Sequence, residues 1–168
     1  MENLITRSQK RSWWKRLNEA MLSSRPGTWL ILNVITHIDP VLLKLSGGRL
    51  SAGTLTRTIP SLLLTTKGAR SGKPREAALL YLVEGDDIIL MASHGGKPQH
   101  PGWYYNLKTN PEVDVLCHGC SGTYLAREAM DSEHDRLWEM ALELYSGFAP
   151  YKKRAGARQI PLIVLTPK

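Results

Sequence analysis

A chain of 168 residues, 42% of them apolar, is long enough for one domain around one buried core and lacks the low hydrophobicity of a disordered chain. Its net charge of +7 points to an anionic partner, and nucleic acid, a membrane surface or a small ligand carrying phosphates and carboxylates would each qualify. Two cysteines, Cys117 and Cys120, exclude a secreted multi-disulfide framework and are compatible with a reducing cytosol. Near the start, Trp13, Leu17, Ala20 and Met21 recur at helical spacing among Lys15, Arg16 and Glu19, which predicts a basic amphipathic helix over 12–22 and not a signal peptide. Ser23-Ser24-Arg25-Pro26-Gly27 is expected to end it. A second helical run begins at Thr28, broken at Asp39-Pro40 and stopped by Gly47-Gly48. The apolar stretch from Trp29 to Leu45 is interrupted by His37, Asp39-Pro40 and Lys44, too short and too broken to span a bilayer. Residues 1–52 are therefore expected to form a helical N-terminal arm, and residues 53–168 a second unit.

After Pro60 the texture changes. Ser61 to Thr66 is a short apolar run ending in a turn, Arg75 to Val83 is another, and both predict strands. Glu84-Gly85-Asp86-Asp87 is a hairpin signal leading into a strand over Ile88 to Ala92. Trp103 to Lys108 predicts a short helix, which Asn110-Pro111 ends before a strand over Val113 to His118. Gly119 to Gly122 turns that strand into Thr123 to Met130. Asp131-Ser132 then offers N-cap oxygens to a helix with Leu137, Met140, Ala141 and Leu144 on one face. Ile160 to Leu165 is the last strand. Helices inserted among strands, not alternating with them, predict an α+β fold: an antiparallel β-barrel with helical additions, not a doubly wound sheet.

Three segments carry chemistry. Thr65 to Arg75 places Lys67, Arg70, Lys73 and Arg75 with Gly68 and Gly72 between two strands. Glycines let backbone amides approach a phosphate, Ser71 adds a hydroxyl, and the arginines can form paired charge-assisted hydrogen bonds. The same composition also suits a solvated basic hairpin, and it matches neither a P-loop nor a dinucleotide-binding fingerprint. Ala92-Ser93-His94-Gly95-Gly96 ends a strand with a hydroxyl, an imidazole and two glycines, suited to close approach of a ligand or to an ordinary loop. Trp103-Tyr104-Tyr105-Asn106 is an aromatic helix start that also reads as core.

Together the three segments resemble the deazaflavin-dependent nitroreductase family, whose pattern is a Thr-Thr-x-Gly-x-x-Ser-Gly-x-Pro-Arg loop, an Ala-Ser-x-Gly-Gly turn and a Pro-x-Trp-Tyr-x-Asn-Leu helix. Here these stand in order at Thr65 to Arg75, Ala92 to Gly96 and Pro101 to Leu107, and the resemblance runs from about Thr56 to Pro167. It implies a split β-barrel, similar to FMN-binding barrels, and binding of coenzyme F420, a deazaflavin with a phosphate and a polyglutamate tail. By this resemblance Ala69, Arg70, Ser71 and Arg75 hold the phosphate and tail. The backbone of Glu76, Ala77, Ala78, Leu79 and Leu80 lines the ring system, and Met91, Ala92, Ser93 and His94 with Gly102, Trp103, Tyr104, Tyr105 and Asn106 complete the pocket. Family tyrosines over the ring correspond to Tyr145, Phe148 and Tyr151, the central position being phenylalanine, which donates no proton or hydrogen bond. The implied activity is hydride transfer from the reduced deazaflavin, with quinones or activated enones suiting this pocket better than nitroaromatics. His94 stands where a lysine is common, Ala69 where an arginine is common, and Ala77-Ala78 where Asn-Pro is common.

Other readings stay open beside this one. An FMN-binding reductase of the same barrel type and a non-catalytic deazaflavin or lipid carrier are the competing functions. Cys117-His118-Gly119-Cys120 has the spacing of a redox or zinc knuckle but lacks a second ligand pair, so no metal is expected; a buried or half-buried cysteine pair is the alternative. The N-terminal helix, with Trp13 and Trp14 beside Lys10, Arg11, Lys15 and Arg16, suits either a membrane interface or packing against the barrel or a second subunit. The expected setting is cytoplasmic, with peripheral contact at the inner face of the membrane as the further option. The protein is expected to be a monomer or small homo-oligomer. Nucleic acid is not expected as a partner, since the cations are not interleaved with a stacking motif.

Overall fold

The computed structural model describes residues 24–30, 34–55 and 60–168. Six strands, β1 (Ser61–Lys67), β2 (Pro74–Glu84), β3 (Asp87–Met91), β4 (Glu112–Leu116), β5 (Gly122–Glu128) and β6 (Leu162–Pro167), form a closed barrel in the order β1-β2-β3-β6-β5-β4. Every neighbouring pair is antiparallel, as expected, and closure leaves no strand edge exposed. The hairpin at Gly85-Asp86 is set by Glu84 opposite Asp87, with Gly85 at φ 61°.

The period-2 alternation of the strands builds two cores. Leu62 and Leu64 of β1, Ile88 and Leu90 of β3, Val113 and Val115 of β4 and Ile163 and Leu165 of β6 fill the interior. Helix α4 (Gly102–Thr109) adds Trp103 and Leu107, one turn apart, to that cluster. The outward residues Leu80, Leu82, Ile89, Met91, Leu162 and Val164 form a second core beneath α5 (Asp131–Leu144) and α6 (Phe148–Ala155). Strand β3 is therefore apolar on both faces, which is why Ile88 to Met91 reads as a continuous apolar run.

The basic helix expected over 12–22 lies outside the described residues. The helices after it depart from the sequence expectation in two places. Ser24 to Gly27 starts α1 (Arg25–Leu30), ahead of the run expected from Thr28: Ser24 Oγ accepts the Gly27 N–H at 3.2 Å, and Pro26 falls in the first turn, where a missing N–H costs little. Asp39-Pro40 does not break α2 (Thr36–Leu45), which runs through it. Asp39 is buried instead, and its Oδ1 accepts the Ala52 N–H at 2.8 Å, fastening α2 to α3 (Ala52–Leu55). Burial pushes the Asp39 carboxyl up, opposed by that amide. Helix α2 packs on β1 and β2, with Lys44 paired to Glu76 at 2.7 Å. Gly48, at φ 83°, lies so close to the Cys117 backbone that a Cβ would sit 2.6 Å from its carbonyl carbon.

Two further details differ. The N-cap of α5 is Met130, without a side-chain cap; the chain leaves β5 extended, with the Ala129 N–H on Leu162 O, and turns at Asp131 with φ 49°. Cys117 is buried and Cys120 half-buried, and the two are joined in a disulfide with Cα atoms 5.3 Å apart. No cluster of three metal-ligating side chains occurs among the described residues.

Candidate active site

At the barrel end where β1 finishes and β2 begins, the loop from Lys67 to Arg75 is a glycine-shaped hairpin: Gly68 N–H donates to Lys73 O at 2.9 Å and Gly72 N–H to Gly68 O at 2.8 Å. Asn106 of α4 braces it. Its Oδ1 accepts the Ala69 N–H at 3.0 Å, its Nδ2 donates to Thr66 Oγ1 at 2.9 Å, and Thr66 Oγ1 donates to Arg75 O at 3.2 Å. Asn110 Nδ2 adds a bond to Lys67 O at 3.3 Å. Lys67, Arg70, Lys73 and Arg75 are all exposed, and none forms an ion pair with another described residue. Four solvated cations on a rigid hairpin fit an extended polyanion better than they fit a self-neutralised surface.

The Ala92 to Gly96 turn comes after β3 at the same end. His94 adopts φ 48°, and its Nδ1 lies 3.0 Å from Gln99 O. Two arginines that sequence reasoning missed hold this turn. Arg158 donates from Nη2 to Ser93 O at 2.7 Å, from Nη1 to Ala92 O at 3.3 Å and to His100 Nδ1 at 3.1 Å, and from Nε to Lys97 O at 2.9 Å. Arg154 Nε donates to Gly95 O at 3.2 Å. Only the pairing of β3 with β6, Met91 opposite Leu162, brings the segment before β6 alongside the turn after β3, and no local pattern announces that.

Strand alternation divides the predicted ring-lining run. Ala77 and Leu79 pack toward the interior cluster and Leu80 toward the outer one, so the backbone of Glu76 to Leu80 is shared while its side chains are not. Glu76 is engaged by Lys44. Met91 and Leu80 belong to the same outer cluster as Tyr145, Phe148 and Tyr151. These three rings are only 3, 2 and 6% exposed and stack edge-on, with centroids 5.1 Å apart for Tyr145 and Phe148 and 6.2 Å apart for Phe148 and Tyr151. Helix α6 itself had no sequence expectation. Its seat is made by Gly96, where a Cβ would meet Tyr151 O at 2.6 Å.

On α4, Trp103 is core, Tyr105 is exposed, and Tyr104 donates its hydroxyl to Glu128 Oε2 at 3.0 Å. Burial, then Glu128, pushes the Tyr104 phenol up to about 12. Gly102 is exposed and open above its backbone. The structure thus gathers the basic loop, the Ala92 turn and α4 at one barrel end, and sets Tyr145, Phe148 and Tyr151 on the outer face of β2 and β3.

A closed antiparallel barrel with inserted helices, a braced cationic hairpin at one end and a buried aromatic stack on its flank defines a split barrel of the α+β class built to hold an anionic ligand. Residues 42–167 match the family model for F420H(2)-dependent quinone reductases. The chain is 39% identical over 110 residues to an F420H(2)-dependent quinone reductase of Mycobacterium tuberculosis, spanning 64% of this chain and 73% of that protein. Among solved structures it resembles an F420-H2 dependent reductase, FDR-A, at TM-score 0.57 and 37% identity over 63% of this chain and 93% of that one. It also resembles a chain described as a domain-swapped dimer, at TM-score 0.60 and 32% identity over 77% of this chain and 96% of that one. The protein belongs to the F420H(2)-dependent quinone reductase family and is an oxidoreductase that uses coenzyme F420.

Proposed function

We propose that this enzyme passes hydride from reduced coenzyme F420 to a quinone, and that Ala69, Arg70, Ser71 and Arg75 hold the coenzyme's phosphate and tail. The observation that carries this reading is the hairpin of four exposed cations, unpaired with other described residues and braced by Asn106 against α4. Bound there, the deazaflavin supplies a two-electron hydride donor. The chain's own part is to fix the anionic end, present the backbone of Glu76 to Leu80 and of Met91 to His94, and keep water from the transfer site. Gly102 to Asn106 close the pocket from α4. Tyr145 and Tyr151 bring hydroxyls near the acceptor, while Phe148 offers only an apolar edge between them. Because the three rings are packed shut, acceptor entry requires the segment from Tyr145 to Tyr151 to move off the outer face of β2 and β3.

Coenzyme F420 titrated with protein and followed by fluorescence should show saturable binding. The reduced coenzyme should then be oxidised by menadione, and by a bicyclic nitroimidazole more slowly, because Phe148 leaves a reduced nitro group without a central donor. A yellow, FMN-loaded preparation that ignores the deazaflavin would overturn the reading; tight binding without turnover would make the protein a carrier. The setting that suits a lipid-soluble acceptor is the cytoplasmic face of the membrane. Ile38, Val41 and Leu45 support it: they line one exposed face of α2, Leu45 at 83% exposure, with Trp29 of α1 also exposed. Among the described residues no helix is long and apolar enough to cross a membrane, so the contact would be peripheral. Liposome co-sedimentation should fall when residues 1–22 are deleted and when Val41 and Leu45 are both changed to serine, and sedimentation unchanged by either would end the idea.

A further inference from the structure

We propose that Arg158 is a positioning residue for the deazaflavin site, holding the Ala92–Lys97 turn in its binding shape, and that protonation of His100 releases this grip. The proposal rests on the functional reading above, which places the turn at the coenzyme. Arg158 uses its planar fork on three backbone carbonyls, Ala92, Ser93 and Lys97, so one side chain fixes both ends of the turn. Arg154 holds Gly95 O between them. The turn's carbonyls therefore point at cations supplied by the segment after α6 and by α6 itself, and its shape depends on their staying in place. No carboxylate is paired with Arg158 among the described residues. Its fourth contact is the imidazole of His100, which accepts from Nη1 through Nδ1 at 3.1 Å.

That contact exists in one protonation state only. An accepting Nδ1 carries no proton, and the same Nη1 also reaches Ala92 O. Protonated His100 would set an N–H against an N–H and a second cation 3.1 Å from the guanidinium, and withdrawal of Nη1 would free Ala92 O as well. The groups facing His100 come from three directions. Tyr104 and Tyr105 of α4 pack against its ring, with centroids 4.7 and 6.0 Å away, Arg158 approaches from the segment before β6, and Glu128 from the end of β5. Glu128 is already engaged by the Tyr104 hydroxyl and by Lys108 at 3.3 Å. Burial, then Arg158, holds the His100 imidazole below its ordinary range against the weaker pull of Glu128. The neutral, gripping state accordingly persists through that range and is lost only on acidification below it.

The experiment compares wild type, Arg158→Lys and His100→Asn by coenzyme F420 fluorescence titration and amide hydrogen exchange, at roughly pH 7.5 and 4.5, the second well below the ordinary imidazole range. Lysine keeps the charge but not the fork, and asparagine keeps an acceptor near the Nδ1 position that does not titrate. Arg158→Lys should raise the dissociation constant about tenfold at the higher pH, the loss of one or two charge-assisted bonds. Acidification should weaken binding and speed exchange of the amides of Ser93 to Lys97 in wild type, and do neither in His100→Asn beyond the intrinsic change. Arg158→Lys within about twofold of wild type, or identical acid responses in wild type and His100→Asn, would overturn the proposal. Wild type that binds no coenzyme at the higher pH would overturn the functional reading itself, an outcome distinct from a binding wild type with indifferent variants.

Discussion

Asn106 is one amide that reaches the β1 end, the basic loop and α4 at once, through two hydrogen bonds of 3.0 and 2.9 Å. Asn106→Ala removes the acceptor of the Ala69 N–H and the donor to Thr66 Oγ1, so chemical denaturation should show a loss of about 1–2 kcal/mol. Coenzyme affinity should fall with it, since the loop's cations lose their frame. Tyr104 offers a pH signature. Its phenol is raised to about 12 by burial and by Glu128, so folding favours the protonated form. That contribution is present in full below the ordinary phenol range and is lost as pH rises through about 12. Ultraviolet titration should contain an ionisation near the top of the alkaline range that Tyr104→Phe removes. Both residues stand in the motifs that the sequence singles out. Their actual work, bracing a loop and bonding Glu128, was not legible there, because partners 37 and 24 residues away are chosen by packing.

At the scale of elements, α6 sits on a seat that only glycine allows. Gly96→Ala would place a Cβ 2.6 Å from Tyr151 O and 2.7 Å from Arg154 Cβ at φ 80°, where both backbone strain and backbone overlap oppose it. The expected loss is about 2–4 kcal/mol, with α6, carrying Phe148 and Tyr151, displaced from Tyr145 and Met91. Gly85→Ala, at φ 61° in open space, carries the strain alone and should cost only about 1 kcal/mol, read in the same unfolding assay. The short helix boundaries show where local rules mislead. Ser-Arg-Pro-Gly signals punctuation in either direction, and the Ser24 hydroxyl on Gly27 N–H makes it a beginning. Asp39-Pro40 looks like a break until Ala52 supplies a distant donor for the buried carboxylate.

For the whole molecule, α5 is tied to the barrel wall at two points, Arg136 to Glu84 of β2 and Arg127 of β5 to Glu133 at 2.6 Å. The arginine bonds hold both carboxyls below the usual range. Folded pKa values below the unfolded ones give stability that is complete above the ordinary carboxylate range and lost as pH falls through the depressed values. Thermal midpoints should decline on acidification, less steeply in a Glu84→Gln, Glu133→Gln double variant. Both pairs are partly exposed, so added salt should narrow the difference.

The sequence by itself determined the strand set, the α+β class and the three motifs that meet at one barrel end, because alternation, turn residues and clustered cations act over a few neighbouring positions. It also carried the resemblance that names the coenzyme. Tertiary structure decided what depends on which strand lies beside which. The β3–β6 pairing delivered Arg158 and Arg154 to the Ala92 turn, closure split Glu76 to Leu80 between two cores, and α6 folded Tyr145, Phe148 and Tyr151 against the barrel flank. Such contacts join residues about sixty positions apart, and their energies come from burial and hydrogen bonding at a distance that no local pattern encodes.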